Sequence, residues 1–98
     1  GEFRPPNYEP MGYAALQELT AGTLEALKSK SEDEVNALAD GKLLFKIGGN
    51  ELPFTNANFA LSFSLPNFYF HATTAYDLLR MNGVPLSKMD YLGALRIG

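Results

Sequence analysis

His71 is the single histidine of the chain, and an imidazole is the side chain best suited to give or take a proton near neutrality. It stands in the run Leu65-Pro66-Asn67-Phe68-Tyr69-Phe70-His71-Ala72-Thr73-Thr74-Ala75-Tyr76-Asp77. At helical spacing it shares an apolar stripe with Phe68, Ala72, Ala75, Leu78 and Leu79, and Thr74 neighbours its ring. Two readings follow. In one, His71 is a general acid or base facing an apolar pocket between helices, assisted by Tyr76 or Thr74, with Phe68, Thr74 and Tyr69 binding the ligand. In the other, His71 is a buried neutral imidazole hydrogen-bonded to one partner, and Tyr69 and Tyr76 pack with their oxygens at the rim. Asp77 lies on an adjacent face, where Arg80 or a backbone amide is its expected partner. The aromatics Phe59, Phe63, Phe68, Tyr69 and Phe70 serve either as the lining of a hydrophobic cavity or as plain packing.

Composition removes most other chemistry. There are no cysteines, which excludes disulfide scaffolds, thiol catalysis and cysteine zinc sites. One histidine excludes any site needing two from the same chain, so neither a metal nor a cofactor is expected. Eight Lys and Arg against eleven Asp and Glu, a net charge of -3 with no cationic cluster, argue against nucleic acid or anionic lipid as a partner. No apolar run is long enough to cross a membrane, and the amino end lacks the basic and apolar regions of a signal peptide. The expected compartment is the cytoplasm.

The elements that must position these residues follow from periodicity and punctuation. Residues 1–10, with three of the six prolines, predict an extended arm. Residues 11–38 predict helix: Tyr13, Leu16, Leu19, Leu24 and Leu27 form one stripe, and Ser31 with Glu34 has the spacing of a capping box that opens a short separate turn. Residues 42–55 predict a β-hairpin turned at Gly48-Gly49-Asn50, with Pro53 withholding one ladder bond. Residues 56–82 predict a kinked helical segment, capped by Thr55 or Asn56, broken at Ser64-Leu65 ahead of Pro66 and closed by Gly83. Residues 83–98 predict a tail without regular structure.

Taken together this is a single, mainly α domain that cannot easily seal itself. A folded chain of 10.7 kDa keeps roughly 5,500 Å² exposed, yet two amphipathic helices beside a two-stranded ribbon leave aromatic surface without cover. The expectation is half of a helical bundle, completed by a second copy, as a homo-oligomer, or by a missing N-terminal half.

A resemblance agrees with this. The strand pair KLLFKIGGNELPFT followed by LPNFYFHATTAYDLLRMNGVPLSKMDYLG resembles the carboxyl half of a family of uncharacterised proteins grouped with the DinB-like four-helix bundles, most closely between Gly41 and Gly93. The resemblance implies that two more helices complete the bundle. The wider superfamily is similar to isomerases and transferases that hold a divalent metal through three histidines, two of them one helical turn apart. Here the position four after His71 is Ala75, so the resemblance implies no metal triad within this chain. It leaves three functions open: a bundle-forming domain whose business is association, a small-molecule enzyme or binding protein with its pocket at His71, and a protein that sequesters a hydrophobic small molecule.

Overall fold

The computed structural model describes residues 1–98. In chain order the elements are β1 (Glu2–Phe3), α1 (Tyr13–Lys28), α2 (Glu32–Asn36), β2 (Lys42–Ile47), β3 (Asn50–Thr55), α3 (Asn56–Phe59), a π-helical turn (Ala60–Ser64), α4 (Leu65–Met81) and α5 (Lys88–Leu92). They fall into two compact units, Gly1–Phe59 and Ala60–Gly98.

In the first unit, β2 and β3 pair antiparallel from Lys42↔Thr55 to Ile47↔Asn50. Gly48 and Gly49, with φ of 53° and 79°, supply the two left-handed residues that a tight two-residue turn demands. Pro53 costs this ladder nothing, contrary to expectation. It lies opposite Leu44, whose N–H donates to the Gly1 carbonyl at 2.8 Å. Leu44 therefore directs its backbone polar groups away from β3, and Pro53 occupies a pair that exchanges no hydrogen bonds.

The first residues of the extended arm form a third strand. Glu2 and Phe3 pair parallel to β2 in register with Leu44 and Phe45, giving the order β1-β2-β3. Alternation then sorts the sheet into two faces. On one, Phe3 stacks on Phe45 at 5.8 Å, and Phe59 of α3 meets Phe3, Phe45 and Phe54 at ring separations of 5.9, 5.4 and 5.4 Å. Phe45, 2% exposed, is the one fully buried side chain of the chain. On the other face, Lys46 sits between Glu2 at 3.1 Å and Glu51 at 3.4 Å. The hydrogen bond that Lys46 donates to Glu2, with further help from Glu51, raises the Lys46 ammonium above its ordinary range.

Thr55 caps α3 by accepting from the Asn58 N–H at 3.1 Å. Asn56 then ties α3 back to the turn after α2: its amide donates to the Leu38 carbonyl at 2.6 Å, and its backbone N–H donates to the Gly41 carbonyl at 2.9 Å. A Cβ on residue 41 would come within 2.5 Å of the Asn56 amide nitrogen and 3.1 Å of the Leu38 carbonyl, so any larger residue there must displace the Asn56 side chain. Ser31 and Glu34 form the reciprocal capping box at the start of α2. Those hydrogen bonds, the Ser31 backbone N–H first, hold the Glu34 carboxyl below its ordinary pKa.

In the second unit the π-helical turn runs directly into α4, and the Ser64 backbone is itself helical (φ -61°, ψ -50°). The expected break at Ser64-Leu65 is thus a change of helix type. Pro66, which has no N–H to donate, lies in the first turn of α4 directly after the π-helical turn, so the interruption of the hydrogen-bond ladder coincides with the change of helix type. At the far end, Gly83 (φ 87°) donates to Arg80 and Val84 donates to Leu79, both at 3.0 Å, the paired bonds of a Schellman closure. The expected unstructured tail contains a helix, α5. Ser87 and Asp90 cap it reciprocally: Asp90 accepts from the Ser87 N–H at 2.7 Å and from its hydroxyl at 2.8 Å, and Ser87 accepts from the Asp90 N–H at 3.4 Å. The Ser87 backbone bond is the main cause of an Asp90 pKa below the usual carboxylate value.

Neither long helix contains a buried residue. Tyr13, Leu16, Leu19, Leu24 and Leu27 of α1 are 39–76% exposed, and Leu65, Phe68, Leu78 and Leu79 of α4 are 45–64% exposed. No helix is long and apolar enough to cross a membrane.

Candidate functional site

Helix α4 carries every residue singled out for chemistry, and its 100° per residue decides which of them can meet. Phe68, His71, Thr74, Ala75 and Leu78 fall within about 120° of arc. Tyr76 lies about 140° away from His71, and Tyr69 about 160° away. Ideal helical geometry thus sets Tyr76 and His71 on different sides of α4.

His71 is exposed and not the buried imidazole that its stripe suggested. Its ring meets the edge of Phe70 at 5.2 Å, 81° between planes. The Thr74 hydroxyl donates back to the Phe70 carbonyl at 2.8 Å, a use internal to the helix. Phe68 and Tyr69 pack edge to face at 5.7 Å, both with their outer surfaces in solvent. Phe59 belongs to the phenylalanine cluster of the first unit, so the five aromatics do not line one cavity.

Tyr76 has a different setting. Its ring meets Tyr91 of α5 at 5.5 Å, and the Arg80 guanidinium lies over its face at 5.4 Å. The Tyr91 and Thr73 hydroxyls are hydrogen-bonded at 3.1 Å. Thr73, Tyr76, Asp77, Lys88 and Tyr91 line a groove of about 130 Å³. Sequence reading placed Arg80 against Asp77, whereas the structure puts it on Tyr76. It missed Thr73, Lys88 and Tyr91 altogether; the available signal was Ser87-Lys88-Met89-Asp90, the same capping pattern recognised at Ser31.

No three His, Cys, Asp or Glu side chains converge within these residues, and the residue one turn after His71 is Ala75.

Residues 2–92 match the model of a family described as a domain of unknown function, DUF1993. The chain belongs to that family. Among solved structures it is similar to a DinB family member protein from Shewanella denitrificans, at 36% identity with a TM-score of 0.70. The match covers 95% of this chain and 53% of that one, so this DUF1993 chain spans about half the length of its structural relative. No curated protein matches it. The DinB-like resemblance of the sequence is thereby established, together with a mainly helical architecture bearing a small sheet.

Proposed function

We propose that this DUF1993 chain is a bundle-forming domain whose work is association, with a second copy or with the remaining part of a bundle, and that it assembles no metal triad of its own. The observation that carries this reading is the exposure of both helix stripes. Neither α1 nor α4 contains a buried residue. An exposed apolar helix face of this kind marks an interface in a native protein. The relative's chain, about twice as long over the same fold, supports the idea that covering material belongs on these helices.

Association makes stability depend on concentration. Thermal unfolding followed by circular dichroism should show a midpoint that climbs as the chain is concentrated. A cooperative midpoint independent of concentration contradicts the reading.

A second reading draws on the position of His71 at the rim of the α4 stripe. Whatever covers Phe68, Ala75 and Leu78 also encloses the imidazole, with Thr74 beside it, and creates an apolar pocket for a hydrophobic small molecule. In that arrangement His71 is the acid or base and Phe68 and Thr74 contact the ligand, while Tyr69 and Tyr76 serve the opposite side of the helix.

A further inference from the structure

We propose that the groove between α4 and α5 binds a small zwitterion, a free α-amino acid with a short side chain. The groove lies wholly within the second unit. It is independent of the association reading, because Thr73, Tyr76, Asp77 and Arg80 centre about 150° around α4 from the stripe that runs from Phe68 to Leu79.

The walls come from two helices. Thr73, Tyr76 and Asp77 share one face of α4 at i, i+3 and i+4, and Lys88 and Tyr91 share one face of α5 at i and i+3. The Tyr76 and Tyr91 rings meet at 5.5 Å. The Thr73 and Tyr91 hydroxyls, 3.1 Å apart, spend one hydroxyl hydrogen on each other and keep the second. Asp77 and Lys88 line the same space from different helices without pairing, since the ion pairs of the chain are those of Lys46. A carboxylate and an ammonium are thus both left to a ligand.

Charge and size select that ligand. The Arg80 guanidinium lies over Tyr76 at 5.4 Å, so the ring face that would attract a cation is taken, and a bare amine also meets Lys88. A bare carboxylate gains Lys88 but meets Asp77. A molecule with an ammonium for Asp77 and a carboxylate for Lys88 satisfies both, and its short carbon chain lies against the tyrosine rings. The groove holds about 130 Å³, the share of roughly four waters and well under the ~300 Å³ at which drug-sized pockets begin. That limits the side chain to a few carbons.

The test is a titration of the full chain with L-alanine, following the Thr73 methyl and the Tyr76 and Tyr91 ring resonances by NMR. All three should shift together and saturate, while the phenylalanine cluster stays unmoved. Propionate and ethylamine, each carrying one of the two charges, should bind about tenfold or more weakly, as should L-alanine to Asp77→Asn and to Lys88→Gln, each of which loses one charged hydrogen bond. Both side chains are exposed, so either substitution leaves the fold standing, with circular dichroism as the check. L-alanine that gives no saturable shift overturns the proposal. So does propionate or ethylamine that binds as tightly as L-alanine, and so do variants that bind L-alanine as tightly as the wild type.

Discussion

The phenylalanine cluster of the first unit and the apolar stripe of α4 are made of the same kind of residue, yet one closes on itself and the other does not. Phe45 of β2 is sealed because β1 brings Phe3 and α3 brings Phe59 onto it, with Phe54 of β3 in turn against Phe59. Phe68, Leu78 and Leu79 lie exposed along α4, and within the second unit α5 meets the side carrying Thr73 and Tyr76. Burial is thus decided by how many elements converge on a residue, and hydrophobicity alone does not confer it. The second unit has the chemistry of a core without the layers to make one.

The contrast can be broken most sharply at Phe45. Phe45→Ala should cost about 3–5 kcal/mol, enough to melt the sheet of the first unit, in a urea titration followed by circular dichroism. Phe68→Ala should leave the stability of the isolated chain nearly unchanged, because Phe68 is 64% exposed; its effect should appear only in self-association.

A smaller effect is expected where the first unit is locked by close approach. In Gly41→Ala the new methyl meets the Asn56 amide and the Leu38 carbonyl, and overpacking of this kind typically costs about 1–3 kcal/mol. Asn56→Ala combined with Gly41→Ala should be less destabilising than the sum of the single changes, since the pair shares one contact.

The smallest effect belongs to the edge of the second unit. Asp90 has its pKa lowered by the Ser87 cap, so its contribution to α5 is complete above the ordinary carboxylate pKa and is lost as pH falls through the lowered value. Acidification below about pH 4 should therefore fray α5, seen as exchange broadening of the Tyr91 ring resonances by NMR, while the phenylalanine cluster keeps its dispersion. Ser87→Ala should produce the same fraying at neutral pH.

What the amino-acid sequence disclosed follows the same line. Periodicity located α1 and α4, because a long stripe is a local property, and Gly48-Gly49 located the hairpin because two left-handed residues in succession have few other uses. The strand at Glu2–Phe3 was hidden: two residues have no period, and only the distant partners Leu44 and Phe45 make them a strand. Pro53 misled for a related reason, since whether its missing N–H matters depends on which side Leu44 turns. The separation of His71 from Tyr76 was readable from helical arithmetic. The Thr73 to Tyr91 bond, spanning eighteen residues, was not, because no local pattern announces a tertiary contact.

The most direct measurement of the central claim is amide hydrogen exchange of α1, α4 and the β2–β3 ladder across a dilution series. Protection in the ladder should hold at every concentration at which the chain stays folded, whereas protection in α1 and α4 should fall as the chain is diluted and their stripes are uncovered. Helices that remain as protected as the sheet at the lowest concentration would show that a single chain covers them, and would contradict the account.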